Sequence, residues 1–230
     1  MIKLYAILVE ILLTMWCVLP DFLGATLGLW NRNKNVTKQT PIVLLHGWFA
    51  SNNEFIELKK RLHKLGYRVY MPNLGFHLEG IENITKKFHK YIQKRNLKNY
   101  ILVGHSLGGI VGLYYMHHYK KYNPTIKKIV AIGSPLNGAN SSYIGFFSKS
   151  TMQLVRRSKL IQNMNKSLKK TELKNFYSIG SNYDPFIPRD ASFLKGANNI
   201  STNAIGHIAL LFSNDVLGKV EGVVEGKISQ

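Results

Sequence analysis

From Pro41 onward the chain alternates between short apolar runs and longer amphipathic stretches. The short runs are rich in β-branched and aromatic residues, and most of them are apolar on both faces. That pattern is typical of parallel strands buried inside a sheet. It predicts six strands, at Ile42–Leu45, Tyr67–Met71, Tyr100–Val103, Lys128–Ile132, Asn175–Ile179 and Asn198–Ser201.

The stretches between these runs have helical periodicity. We expect helices over about Asn53–Leu65, Ile81–Arg95, Leu107–Tyr119, Ser150–Leu168 and, after the last strand, Ile208–Leu217. One strand and one helix recur in roughly 30 residues, the period of a βαβ unit. This predicts an α/β protein with a doubly wound, mostly parallel sheet of about six strands and flanking helices.

The longest interval between predicted strands, from Gly133 to Lys174, is too long for one tight crossover. Long connections of this kind commonly carry elements that cover a site. We therefore expect a cap or lid at residues 136–170.

The first thirty residues form an almost continuous apolar run, broken by Glu10 and Asp21 and followed by a polar, basic stretch. The pattern is typical of a signal peptide or signal anchor. Glu10 opposes a membrane span, because a charge at the centre of a spanning helix costs on the order of 3 kcal/mol. A hydrophobic helix packed on the domain is the alternative. We expect a hydrophobic segment at 1–30 and one catalytic domain at 31–230, in a membrane-anchored or secreted protein.

The 31 Lys and Arg residues outnumber the 12 Asp and Glu residues, for a formal net charge of +19. No acidic residue occurs between Glu82 and Glu172. Such an excess favours an anionic partner such as a phospholipid surface, although a coding bias toward Lys and Asn explains it equally well. No nucleic-acid-binding motif is present, so nucleic acid is not an expected partner. Cys17 is the only cysteine, which excludes an intramolecular disulfide and a cysteine-clustered zinc site.

The segment Tyr100-Ile-Leu-Val-Gly-His-Ser-Leu-Gly-Gly109 runs from an apolar strand into a helical pattern. It contains G-x-S-x-G in the strand–turn–helix context of a nucleophile elbow. Ser106 is therefore the predicted nucleophile, with its hydroxyl held above the sheet. The Leu107 N–H, at the positive end of the following helix, is a predicted oxyanion donor.

A second strand, in Pro41-Ile-Val-Leu-Leu-His-Gly-Trp48, ends in a turn that can face the nucleophile. The Trp48 N–H is the predicted second oxyanion donor. His46 precedes the nucleophile, against the chain order Ser, acid, His, so we assign it to loop packing. His207 follows the last strand on a loop and is the predicted general base. The remaining histidines are expected to be exposed or capping: His63, His77, His89, His117 and His118.

The carboxylate that would orient His207 is predicted by elimination. Between Ser106 and His207 the only carboxylates are Glu172, Asp184 and Asp190. Glu172 precedes a strand, at the wrong end for a site built on strand carboxyl ends. Asp190 lies beyond Pro188, where it suits a helix cap. Asp184, in the turn-forming run at 180–185, is the predicted third member of the triad.

Five blocks together resemble the small bacterial secreted triacylglycerol lipases, which are minimal α/β hydrolases. They span about residues 41 to 217 and comprise His46-Gly47, Gly104 to Gly109, Gly133-Ser-Pro135, Asp184 with Ile187-Pro188, and Gly206 to Ser213. The resemblance implies a six-stranded parallel sheet and a triad of Ser106, Asp184 and His207. It also implies an oxyanion hole from the Trp48 and Leu107 N–H groups, with no metal or organic cofactor. The stretch from Leu136 to Lys170 is longer than in the lidless members.

The expected activity is hydrolysis of carboxylic esters, chiefly of lipids, through an acyl-enzyme on Ser106. Acyl transfer and thioester cleavage use the same triad and remain alternatives. A catalytically silent, basic membrane-binding module is a further alternative from another class. The apolar side chains of the expected cap suit either an acyl-chain groove or the core of a cap helix: Phe146, Phe147, Met152, Leu154 and Val155.

Overall fold

The computed structural model describes residues 8–15, 36–119 and 126–228. Most of the predicted hydrophobic segment at 1–30 lies outside these residues, and so does Cys17. Residues 8–15 form a helix, α1. Among the helices of the described ranges, none has the length and apolar character needed to cross a membrane.

Six parallel strands form one sheet in the order β2-β1-β3-β4-β5-β6. Every residue of β1 and β3 is buried, which accounts for their apolar composition. The winding direction reverses between β1 and β3, and ligands bind at such a point in open α/β sheets. The predicted fold class is confirmed. The strands are β1 (Ile42–Leu45), β2 (Val69–Tyr70), β3 (Tyr100–His105), β4 (Ile126–Ile132), β5 (Phe176–Tyr183) and β6 (Asn198–Ile205).

Helices cover both faces of the sheet, and the core is divided between them. Eight α-helices follow β1 in the described residues: α2 (Ile56–Lys64), α3 (Ile81–Lys94), α4 (Leu107–His118), α5 (Lys149–Gln153), α6 (Lys159–Ser167), α7 (Lys170–Leu173), α8 (Arg189–Ser192) and α9 (Asn214–Val224). Short 3₁₀ helices occur at Asn52–Phe55, Asn140–Gly145 and Ile208–Phe212. α3 and α4 pack on one face, and α2 and α9 pack on the other.

Two predicted helices are interrupted. The helix expected over Ser150–Leu168 is two helices, α5 and α6, because the Ser158 side chain accepts a bond from the Ile161 N–H and begins a new helix. The helix expected over Ile208–Leu217 is a 3₁₀ helix followed by α9, because the backbone of Ser213 is extended between them. Periodicity alone did not reveal either break.

Helix α4, which follows Ser106, lies close to β1. A Cβ atom at Gly108 would overlap the carbonyl oxygen of Leu45. A Cβ atom at Gly104 would lie 2.5 Å from the Gly108 carbonyl carbon. Both positions therefore require glycine for close backbone approach, and this approach sets the height of Ser106 above the sheet.

We expect Gly108→Ala to lower the free energy of unfolding by about 2 kcal/mol or more, because the new methyl group forces α4 away from β1. The matched control is Gly218→Ala, at an exposed position inside α9 with nothing within 4 Å of the added Cβ. That change should raise stability by roughly 0.5 to 1 kcal/mol. Urea denaturation followed by circular dichroism measures both. Equal effects of the two substitutions would contradict the role assigned to Gly108.

Candidate active site

Ser106 occupies a sharp turn between β3 and α4. Its backbone has φ 51° and ψ −120°, in the positive-φ region that side-chain-bearing residues rarely adopt. Its N–H donates to the Ile132 carbonyl oxygen at 2.9 Å, which fixes the turn to β4. The strain holds the hydroxyl at the carboxyl edge of the sheet, as the G-x-S-x-G pattern predicts.

The two predicted oxyanion donors line the same cavity as Ser106. The end of β1 lies directly beside the nucleophile, since a Cβ atom at Gly47 would be 3.2 Å from the Ser106 Cβ. Within the described part of the chain, neither the Trp48 N–H nor the Leu107 N–H donates to a protein acceptor. Both groups are therefore free to bind an oxyanion.

His207 and Asp184 form a short hydrogen bond, with 2.7 Å between Nδ1 and Oδ2. The Asp184 side chain is fully buried, and its Oδ1 accepts from the N–H groups of Phe186 and Ile187, both at 2.9 Å. Gly133 packs against this pair, because a Cβ atom there would lie 3.4 Å from the His207 Cε1. The carboxylate is thus held by its own loop and orients the imidazole through Nδ1.

Burial by itself lowers the pKa of His207, because it disfavours the charged imidazolium. The charge and hydrogen bond of Asp184 oppose this effect, with smaller contributions from Glu10 and Glu54. The net result is a pKa raised above the ordinary 6.5. A proton taken from Ser106 is therefore well accommodated on this ring.

A second buried carboxylate, Glu54, lies behind the site and was not singled out from the sequence. Its Oε1 accepts from the Gly47 N–H at 3.0 Å, and its Oε2 lies 3.3 Å from the Nδ1 of His105. The Nε2 of His105 in turn lies 3.3 Å from the carbonyl oxygen of His207. These contacts link the turn at Gly47 and Trp48, which carries a predicted oxyanion donor, to the loop at 206–209 that carries His207, called the base loop. Of Glu54 and His105, only His105 lies in a motif that can be recognised from the sequence, the G-x-S-x-G segment.

The remaining candidates lie away from the nucleophile. His46 packs at the end of β1, as expected, with its ring stacked on His77 at 4.2 Å between centroids. The expectation that His77 is exposed or capping is wrong, since the residue is 2% exposed. Burial, followed by the neighbouring His46, holds the pKa of His77 well below its usual 6.5. The Nδ1 of His46 also lies 3.0 Å from the Gly47 carbonyl oxygen, in the turn after β1.

The two carboxylates set aside by elimination have other partners. Glu172 accepts from the Lys169 N–H at 2.9 Å and caps α7. Asp190 is exposed and pairs with Arg156, whose hydrogen bond lowers the pKa of the carboxyl. Of the three candidates, Asp184 alone contacts His207 in the described residues.

The cavity above Ser106 has a volume of about 210 Å³. Its apolar wall includes Phe49, Ile144, Leu154 and Phe186. Of the apolar cap side chains considered from the sequence, Leu154 lines the cavity and Val155 is buried elsewhere, whereas three are exposed: Phe146, Phe147 and Met152. Among the side chains described, no three His, Cys, Asp or Glu residues are grouped to hold a metal ion.

The family model of the α/β hydrolase fold matches residues 40–171, more than half of the 230 residues. The chain therefore belongs to the α/β hydrolase fold family. Its structure is similar to the mature form of a lipase from Bacillus licheniformis, with a TM-score of 0.66 and 15% identity over 80% of this chain and 91% of that one.

Two further solved structures are similar. A metagenomic carboxyl esterase gives a TM-score of 0.63 at 14% identity, over 76% of this chain and 66% of that one. A phospholipase from Legionella pneumophila gives 0.55 at 12% identity, over 68% of this chain and 44% of that one. Identities this low show a shared fold and no more.

We expect Asp184→Asn to lower turnover roughly 10³- to 10⁴-fold, because the ring of His207 loses the acceptor that fixes its tautomer and stabilises its charge. The control is Asp190→Asn, which should change turnover less than about tenfold because Asp190 contacts Arg156 and not His207. Both variants are compared by ester hydrolysis after their folding is checked by circular dichroism. The reverse ranking would move the acid role to Asp190.

Proposed function

We propose that the chain is a carboxylic ester hydrolase of the lipase and esterase type, related to the small bacterial triacylglycerol lipases. The observation that carries this proposal is the contact between His207 and Asp184 at the edge of a cavity that also contains Ser106. Two unbonded backbone N–H groups border the same cavity. Nucleophile, base, acid and oxyanion donors are the four parts that acyl transfer requires.

In the first half of the proposed reaction, the Ser106 Oγ attacks the ester carbonyl carbon while the His207 Nε2 takes the hydroxyl proton. The carbonyl π pair moves onto oxygen, and the Trp48 and Leu107 N–H groups stabilise this oxyanion. As the carbonyl re-forms, the bond to the leaving alcohol breaks. His207 returns its proton to the departing oxygen, which leaves an acyl-enzyme.

In the second half, a water molecule replaces the alcohol. His207 takes one water proton as the oxygen attacks the acyl carbon, and a second oxyanion forms in the same hole. Collapse breaks the bond to Ser106, whose Oγ regains the proton from His207. The carboxylic acid leaves, and the enzyme returns to its starting state without any net change.

A lipid ester is the substrate class that the cavity supports best. Phe49, Ile144, Leu154 and Phe186 offer an apolar wall to an acyl chain beside the nucleophile. The structural neighbours include proteins titled as a lipase, a carboxyl esterase and a phospholipase. These titles agree with the ester chemistry proposed for Ser106.

We expect the Ser106→Ala protein to fold normally. Its rate of ester hydrolysis should fall by several orders of magnitude, because the members of a triad act as a unit. The substrates are p-nitrophenyl esters of graded chain length, with matched thioesters in parallel. Covalent labelling by a fluorophosphonate probe should occur in the wild type and disappear in the variant. Retained turnover in a folded Ser106→Ala protein would exclude Ser106 as nucleophile, and faster thioester cleavage would favour a thioesterase.

We also propose that the protein works at an anionic lipid surface. The acid-free stretch between Glu82 and Glu172 includes the cap, where Phe146 and Phe147 are exposed. Exposed basic side chains follow them along the chain, at Arg156, Arg157, Lys159, Lys166, Lys169 and Lys170. A segment that exposes both apolar side chains and cations suits the boundary between acyl chains and phosphate headgroups.

We expect co-sedimentation with vesicles containing phosphatidylglycerol to exceed that with pure phosphatidylcholine and to weaken at high salt. Lys159→Glu combined with Lys166→Glu should weaken binding at least about tenfold, since each basic group near such a surface contributes about 1 kcal/mol. The control with the same change of charge is Lys64→Glu with Lys195→Glu, at two exposed positions outside the acid-free stretch. Equal losses from both pairs would assign the effect to net charge alone.

A further inference from the structure

Helix α1 differs from an ordinary amphipathic surface helix, because it buries its charged side chain and exposes most of its apolar ones. Its one charged residue, Glu10, points inward and is 8% exposed. Four of its apolar side chains, Leu8, Ile11, Leu12 and Met15, are each more than half exposed, whereas Val9 and Leu13 are partly buried. The helix therefore buries little apolar area, and the hydrogen bonds of Glu10 add a second set of contacts with the domain.

The Glu10 carboxylate accepts three hydrogen bonds from consecutive backbone N–H groups. Its Oε1 lies 2.7 Å from the N of His207 and 3.0 Å from that of Ala209, and its Oε2 lies 3.1 Å from the N of Ile208. These groups stand at the start of the 3₁₀ helix Ile208–Phe212, where no partner exists within the helix. A carboxylate is the acceptor that such a helix end favours.

Gly206 makes this approach possible. Its φ of +101° lies in the region that favours glycine, and a Cβ atom there would overlap the Glu10 carboxylate. The loop before His207 is therefore shaped to admit a side chain from α1. The arrangement joins two independent features, an inward carboxylate and a backbone concavity that fits it.

We propose that Glu10 is a positioning residue for His207, and that α1 completes the candidate active site by clamping the base loop. This inference rests on the proposed function, in which His207 is the base. Glu10 holds the N–H of His207, while His105 faces its carbonyl oxygen at 3.3 Å, so the peptide groups on both sides of the ring are fixed. Thr14 of the same helix lines the cavity.

The clamp also carries charge. The titratable groups facing His207 are Asp184 from the β5 loop, Glu54 from the 3₁₀ helix after β1, His105 from β3 and Glu10 from α1. The negative charge of Glu10 favours the imidazolium and contributes to the raised pKa of His207. Its removal should therefore lower the pKa of the ring and slow the steps in which the ring is cationic.

The test uses the full-length protein with Glu10→Gln. Glutamine keeps the shape, removes the charge and turns an amide donor toward one of the three N–H donors. We expect kcat/KM to fall about tenfold to hundredfold, because a displaced base loop misaligns the proton transfer. The acid limb of the pH profile, where protonation of His207 stops activity, should move to lower pH. Nuclear magnetic resonance titration of the ring, assigned with His207→Asn, should show the same shift.

Two further variants separate positioning from general damage. Glu10→Asp keeps the charge but shortens the side chain, so the acid limb should stay near that of the wild type while kcat/KM falls. Glu57→Gln removes a carboxylate from α2 that pairs with Lys60, and it should change neither quantity. A Glu10→Gln protein with the wild-type acid limb and ring titration would overturn the proposal. If the wild type shows no hydrolysis dependent on Ser106, the proposed function fails, and the ring titration still decides the role of Glu10.

Discussion

Three buried carboxylates surround one histidine, and the geometry of the candidate site depends on what they require. Glu10, Glu54 and Asp184 are each less than a tenth exposed, although the chain has only 12 acidic residues. A buried carboxylate is tolerated only where donors reach its oxygens. Here the donors include the backbone N–H groups of three loops, which begin at Gly47, Phe186 and His207. Each loop is held in place because its N–H groups donate to one of the buried carboxylates. The sheet supplies the rigid base from which the loops extend.

The fold could be predicted because its strands have a simple physical requirement. β1 and β3 are buried on both faces, so β1 and the first four residues of β3 are rich in apolar side chains and their positions are evident from composition. The cap was less accessible to prediction. A single helix over 150–168 satisfies the periodicity, but the Ser158 side chain competes for the backbone and starts a second helix. A local hydrogen bond of this kind hardly changes which positions are apolar, so the hydrophobic pattern does not reveal it.

The sequence predicts a site of Ser106, Asp184 and His207 through motif context, chain order and elimination, and the structure has the last two in contact. Glu10 and Glu54 could not be found in this way. All the partners of the Glu10 carboxylate, and one of the two partners of Glu54, are backbone N–H groups. Every residue except proline carries such a group, so no residue type marks the other half of the contact. In the sequence, Glu10 is only a charge that interrupts an apolar run. In the structure its carboxylate accepts three backbone hydrogen bonds that join α1 to the loop of His207.

The bonds from Glu10 reach across almost the whole chain, since 197 positions separate it from His207. The three N–H groups that Glu10 binds follow β6, which pairs with β5 at the edge of the sheet. The contacts of α1 therefore depend on the assembled sheet, and a change that breaks the pairing of β6 would also remove the donors that the Glu10 carboxylate needs.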